Sequence, residues 1–498
     1  MSLGLCVIGG MTVGTLSLLF FVPLFFIFFQ HLEEHYMPKR LLKHSAFLPF
    51  YLFTFLPFTS CGTYSNYQRQ TISTDSLLRS EYTLTDTSTL LGWREMFTDP
   101  LLVPLIEEGL AHNSDLSIAK LHVDAAKAAL RNAKGELFPS LELGAEGETA
   151  RFKNSKMDEA ETENKFSFGA EVSWEIDIFG KLQNAKKAAA ASVEEKQAYV
   201  QAVQVELIST IVTSYYQLEM YDAQIADTRS IMESWDESIR AQKALMAVGE
   251  TTSDEVAQAE AEKLKAEATL EELKMQMLQA ENALCTLLGR SSGHIDRGDF
   301  ATSCQLFKPM HSVNIKALAT RPDIRQAEAE LKRAFYATNE ARAALYPSLN
   351  LSGIVGWTND AEEVVSPAGL LTRALASLTQ PVFANGKLRA AVKQAKAEEE
   401  EAKISFRQAI LEAGQEVNDI LASQQYAQRA ILLYTQQVEK LTEVLATTEL
   451  RMRHDSEVNY LQVLLARQSL LEARLELLNN QYTLAESQIL LYKALGGT

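Results

Sequence analysis

Side chains able to do covalent or ligating chemistry are few in this chain, and they are scattered. The four cysteines stand at 6, 61, 285 and 304, with none of the paired spacings of a zinc site and no disulfide framework. Cys285 and Cys304 could pair in an oxidising compartment; two separate thiols is the preferred reading. Among the eight histidines only His31 and His35 share a helical spacing. No nucleophile elbow, phosphate loop or motif-placed pair of carboxylates appears, so the sequence predicts no catalytic, cofactor-binding or metal-binding residue and no cofactor. Cys61 alone has a context. Lys39, Arg40 and Lys43 precede an apolar run over 45–60 that ends in Thr59-Ser60, directly before the thiol. Basic residues, a short apolar run and small residues at the end are the parts of a secretory signal.

A cysteine immediately after small residues resembles a lipobox, in which that cysteine becomes the lipidated first residue. Phe58 departs from the Leu usual three positions before the cysteine. We read Met37 as the start, 37–60 as a lipoprotein signal peptide and 1–36 as upstream of the true start. The alternative is that 3–29, uncharged and long enough to span a bilayer, is a transmembrane helix. Gly9, Gly10, Gly14, Pro23 and the lack of a leading basic anchor speak against it. The formal net charge of −17, with no basic stripe, disfavours a nucleic-acid partner.

The rest of the chain says one thing twice. Leu137-Phe138-Pro139-Ser140-Leu141 returns as Leu345-Tyr346-Pro347-Ser348-Leu349, Gly180-Lys181-Leu182 as Gly386-Lys387-Leu388, and Leu288-Gly289 as Leu495-Gly496. A repeat this long is a duplicated half-domain rather than a solenoid of short units. The expected segments are an anchor and extended lead over 61–100, a first repeat over 101–309 and a second over 310–498. Helical spacing covers 101–135, with Leu105, Ile106, Leu110, Leu116, Ile118 and Leu121 on one side, and again 323–344. Proline is absent between 140 and 308 and after 381, and Gly249 is the only glycine between Lys181 and Leu288. Strong helix formers fill these stretches. They predict helices over 182–248, 253–288, 388–454 and 459–495, the longer ones about 100 Å in length. Helices of that length must pack laterally on one another.

Between the helices lie strands. From Phe166 to Ile178 apolar residues alternate with small or acidic ones without a break. A half-buried globular strand usually stops at five or six residues, whereas a tilted membrane-spanning strand needs about 9–11. Residues 139–151 supply its partner and 152–165 the hairpin loop. In the second copy 347–357 and a weaker 371–383 form the counterpart, with Trp174 and Trp357 placed for an aromatic girdle or for plain packing. Four strands cannot close a barrel, and open edges are not tolerated in lipid. Three copies give about twelve strands, a workable pore. The predicted fold class is thus a mixed α/β duct, internally duplicated, with a long α-helical barrel continuous with a transmembrane β-barrel.

These features carry a resemblance. Gly92-Trp93-Arg94-Glu95-Met96-Phe97 with Asp99-Pro100, Trp174-Glu175-Ile176-Asp177-Ile178-Phe179-Gly180-Lys181-Leu182, Arg321-Pro322-Asp323-Ile324, Ala344-Leu345-Tyr346-Pro347-Ser348-Leu349, Asn459-Tyr460-Leu461 and Leu491-Tyr492-Lys493-Ala494-Leu495-Gly496-Gly497 occur in this order. From about Cys61 to Thr498 the chain resembles the TolC-like outer-membrane efflux factors, especially their lipoprotein (NodT-type) branch. The resemblance implies a homotrimeric channel, lipid-anchored at Cys61 in the outer membrane. It also implies a periplasmic adaptor (membrane fusion protein) and an inner-membrane pump as partners. Gly62, rather than Asp, after Cys61 implies delivery to the outer membrane. The family closes its periplasmic end with residues after the second helix break, a window that runs here from Arg453 to Gln468 and contains Leu461, Gln462 and Leu465. Where the family often places an acid this chain has Leu465, and Leu461 lies one turn earlier on the same face. Such leucines would gate by dewetting, or else simply pack between helices. In the first copy Asp254 and Glu255 are the gate candidates, with capping of a helix N-terminus the competing account. The remaining alternative is a periplasmic coiled-coil scaffold or adaptor without a pore.

Overall fold

In a computed structural model, residues 66–69, 77, 83–84, 92–153, 160–303, 312–313, 320–358, 370–381, 384–454 and 460–497 are described. Cys6, His31, His35, Met37, Cys61, Cys304 and the leader lie outside these residues, as does Asn459. The residues from Tyr67 onward form one unit. Its elements run β1 Thr83–Leu84, α1 Trp93–Met96, α2 Leu102–His112, α3 Ser114–Gly135, β2 Ser140–Lys153, β3 Ala160–Ile176, α4 Lys181–Ala247 and α5 Ser253–Leu287. They continue with α6 Phe300–Ser303, β4 Ser312–Val313, α7 Pro322–Ala343, β5 Ser348–Thr358, β6 Leu370–Thr379, α8 Lys387–His454 and α9 Tyr460–Ala494.

The four long helices end within a residue or so of their predicted limits. Two expected boundaries need correction. Residues 101–135 are two helices, because Asn113 ends α2 and caps α3, its side chain accepting from Leu116 N at 2.9 Å. The first hairpin loop is shorter than 152–165, since β2 and β3 pair all the way to Lys153↔Ala160. The sheet is antiparallel throughout, in the order β2-β3-β5-β6, so β3 against β5 joins the hairpins of the two copies. At that seam Gly169 faces Gly356, and a Cβ on Gly356 would collide with Phe168 O.

Strand passes to long helix through a left-handed residue in both copies: Gly180 has φ +75°, Asn385 +49° and Gly386 +77°. Glycine reaches this region without the Cβ clash that deters other residues. Asp177 Oδ2 accepts from Gln183 N at 2.7 Å and so satisfies one of the orphan donors at the start of α4. Both copies close alike. After α5, Gly289 N donates to Thr286 O and Arg290 N to Cys285 O; after α9, Gly496 N donates to Lys493 O and Gly497 N to Tyr492 O. This is the Schellman arrangement.

The copies differ in how their short helices are flanked. α7 packs against both α4 and α8, whereas α3 packs against α4. Leu121 and Ala329 occupy equivalent positions, yet Leu121 is 65% exposed and Ala329 is buried. Ile118, placed on the inner side by its spacing, is 51% exposed. The inward face of α3 is instead Leu116, Ala119 and Val123. The main core gathers α2, α3 and the middle of α4 with the ends of α5 and α9, around Phe97, Ile106, Leu116, Ile211, Tyr215, Leu218, Leu284 and Ile489.

A staple at each returning helix end repeats with different chemistry. Asn113 Nδ2 donates to Leu287 O at 2.9 Å. At the equivalent place Arg321 Nη1 donates to Ala494 O at 2.8 Å, and the same guanidinium pairs with Asp323 and Glu416. Arg321→Ala is expected to cost about 2–3 kcal/mol, because hydrogen bonds to charged groups are lost along with a buried guanidinium. Asn113→Ala should cost nearer 1 kcal/mol, the worth of one cap. Denaturant titrations of the two variants check the ranking, which fails if Asn113→Ala is the more damaging.

Candidate pore surfaces and helix ends

Alternation along β3 gives the sheet two unlike faces. One carries Leu141, Leu143, Phe166, Phe168, Val172, Trp174, Val355, Trp357 and Leu378, all exposed in the single chain. Phe168 and Trp357 stack there at 6.5 Å, and Trp174 Nε1 donates to Leu137 O at 3.0 Å. The opposite face carries Glu142, Glu146, Glu148, Ser167, Glu171, Ser173, Glu175, Asn350, Ser352 and Ser377. Ile354 and Leu375 interrupt it, which is why the second hairpin reads weakly in the sequence. Exposed carboxylates such as the neighbours Glu142 and Glu171 need water beside them, and the apolar face needs its absence. Within the chain β2 and β6 are the sheet's two edges.

At the far end of the long helices the first break is another Schellman turn. Gly249, at φ +81°, donates to Met246 O and Glu250 N to Leu245 O. Thr252 caps α5 by accepting from Glu255 N at 3.4 Å, and the Thr251 hydroxyl donates to the Glu255 carboxylate. Asp254 is exposed in the same first turn, accepting from Ser253 Oγ at 3.3 Å. In the second copy Leu465 is 55% exposed while its neighbours Val463, Leu464 and Ala466 are buried. Gln462 is exposed on the same face, and Gln468 donates to Glu472 at 2.9 Å. The side chains of Arg453 and Leu461 lie outside the described residues.

Arg467 escaped the sequence reading. It lies one turn past Val463 and Leu464 and is buried with them against Ile231, Trp235 and Ile239. Its Nη1 donates to Ser234 O on α4 at 2.7 Å, its Nη2 bonds Glu449 on α8 at 2.7 Å, and its guanidinium lies 6.0 Å from the Trp235 ring. The available signal was a charged residue in phase with an otherwise apolar stripe. Farther along the same helix pair, Arg474 meets Asp227 at 3.5 Å, Gln224 donates to Asn479 at 2.7 Å and Lys493 pairs with Glu206 at 2.6 Å. Burial raises the Asp227 carboxyl above its ordinary range, and Arg474 opposes that rise.

Comparison with known proteins bears directly on these surfaces. The model of the outer membrane efflux protein family matches residues 105–290 and 315–497. The chain belongs to the outer membrane efflux protein family. Cation efflux system protein CusC of Escherichia coli (strain K12) is 28% identical over 453 residues, 89% of this chain and 97% of the relative. The probable outer membrane lipoprotein SilC of Salmonella typhimurium is 26% identical over 86% of this chain and 92% of its own. A crystal structure of CusC superposes with a TM-score of 0.77 at 27% identity, covering 87% of this chain and 99% of that one. The outer-membrane channel OprN, at 24% identity and a TM-score of 0.77, shares the fold. The duct architecture expected from the sequence is therefore that of this outer membrane efflux protein, a channel of the outer membrane.

Arg467→Ala is expected to loosen α9 from α4 near the helix ends. Hydrogen exchange should quicken about tenfold over 231–239 and 463–471 while the strands stay protected. Unchanged exchange there would show that apolar packing alone holds the pair.

Proposed function

We propose that three copies of this chain form a closed duct that carries cargo across the outer membrane from a periplasmic adaptor and an inner-membrane pump. The observation that carries the trimer is the unequal flanking of α3 and α7. The exposed side of α3, with Ile118 and Leu121, fits a neighbouring copy's α8, whose Ile404 and Leu411 are likewise exposed. The same ring pairs β2 of one copy with β6 of the next, which removes both sheet edges. About twelve strands then surround a lumen lined by the carboxylate face, with the aromatic face toward lipid. Residues 101–309 and 310–498 act as the two repeats, after an anchor segment over 61–100 and a leader over 1–60. Similar proteins are named for cations, toluene and antibiotics, so we assign cargo choice to the pump rather than to the duct.

We assign lipidation to Cys61, which follows small residues at the end of a basic and apolar leader. The ring of Tyr67 packs edge-on to Phe335 at 5.8 Å, eight residues before the end of α7, where the chain enters β5. Labelled palmitate should enter the wild-type protein and fail to enter Cys61→Ser; label retained in the variant rejects this anchor.

We assign the resting constriction to the second helix break, with Leu461, Gln462, Leu465, Gln468 and Arg453 around it. The exposure of Leu465 in the single chain supports a place on the lumen. Asp254 and Glu255 are better assigned to capping α5, given the Thr251 and Thr252 contacts. In planar bilayers the trimer should conduct poorly at rest, and Leu465→Ser should raise that conductance, since hydroxyls wet a hydrophobic constriction. Leu484→Ser, on the half-buried remote part of α9, should not. An unchanged conductance in an assembled Leu465→Ser trimer refutes the leucine gate.

A further inference from the structure

Midway along α4, a polar node built around a buried carboxylate holds two connections onto that helix. Glu219 is 1% exposed. Its Oε1 accepts from Gly298 N at 3.1 Å, and the same nitrogen donates to Tyr215 Oη at 3.1 Å. Tyr215 in turn donates to Asp99 Oδ2 at 2.9 Å. A Cβ on residue 298 would fall 2.9 Å from Glu219 Oε1, so only glycine fits this approach without a shift. Asp99 belongs to the lead into α2, and Gly298 to the connection between the two repeats. One buried carboxylate thus sits where both connections meet.

The charges at this node do not balance. Asp99 comes from the lead, Tyr215, Glu219 and Asp222 from α4, Glu281 from α5, and His294, Asp296, Arg297 and Asp299 from the inter-repeat connection. Arg297 is committed to Asp222 and Glu281. His294 Nδ1 also faces Glu281, at 3.0 Å, from an exposed position. Tyr215 has one proton to share between Asp99 and Glu219. Glu219 Oε2 is sealed from solvent and meets no hydrogen-bond partner of good geometry. A second bare charge beside Asp99, on a side chain as buried as Glu219, would be costly.

We propose that Glu219 is the proton switch of a clamp: protonated, it fastens the inter-repeat connection over 290–303 to α4, and its ionisation as pH rises releases that connection. Burial is the largest influence raising its carboxyl above the ordinary range, and Asp99 adds to it. The Ser303 and Tyr215 hydroxyls and Gly298 N pull the other way. The docked state keeps a proton that an undocked, hydrated carboxylate gives up at lower pH. Docking is therefore fully stable at acidic pH. It weakens as pH rises from the ordinary carboxylate range through the raised value.

Hydrogen exchange on the full-length assembly in detergent, corrected for intrinsic rates, tests this between about pH 5 and about pH 9. Protection over 290–303 in wild type should fall about tenfold or more across that range. Glu219→Gln should hold the acidic-pH protection throughout. Asp99→Asn, which removes the neighbouring charge, should move the midpoint to lower pH and serves as the test if Glu219→Gln fails to fold. Flat protection in wild type overturns the proposal, as does a Glu219→Gln or Asp99→Asn profile that follows wild type. A transition abolished by His294→Gln assigns it to the imidazole and equally overturns the proposal.

Discussion

A strand in hydrocarbon has no water to satisfy its edge, and that constraint shapes this molecule more than any packing contact. Each chain supplies strands of 14, 17, 11 and 10 residues with β2 and β6 at the rims. Each rim carries a row of backbone donors and acceptors whose loss would cost several kcal/mol per group in lipid. Only closure of the sheet on further copies removes that cost. The long helices follow from it, since the helices that continue from β3 and β6 are carried into the same ring. Their left-handed glycine joints fix the angle at which strand becomes helix.

Duplication supplies two similar halves, and their differences are as informative as their likeness. Both copies turn from strand to helix through Gly180 or Gly386 and close on Gly289 or Gly496. Both staple the end of the returning helix, one with Asn113 and the other with Arg321. They part company at α3 and α7, where the same position is Leu121 in one and Ala329 in the other. A large apolar side chain has been kept on the flank open to a neighbour, and a small one where two long helices of the same chain close in. Burial of a leucine side chain contributes about 2 kcal/mol, so that choice favours assembly.

Much of this was legible in the sequence because periodicity and punctuation report backbone state directly. Gly249 marked the first helix break, Asp455-Ser456-Glu457 the second, and the unbroken alternation over 166–178 marked the longest strand. What stayed hidden depends on contacts distant in sequence. Nothing local distinguishes Ile118 and Leu121 from core residues, because their exposure reflects which long helix lies beside them. Arg467 and Glu219 read as ordinary charges on long helices, yet burial and partners from other elements give them their character. The gate candidates came from family resemblance rather than from spacing. The structure displays Leu465 outward and engages Glu255 in a cap.

The seam between the two hairpins sets an order of events in time. Each hairpin closes over a short connection, but β3 meets β5 across roughly 170 to 190 residues, including both long helices of the first repeat. Non-local pairing of that kind is slow, because the chain entropy is lost before the ladder returns it. The first hairpin exists, with an apolar face and two bare edges, well before its partner has been made. A nascent chain therefore passes through a stage at which it is most prone to pair with the wrong strand. Holding that hairpin unpaired until the second arrives is as much a requirement for making this channel as any contact in the finished barrel.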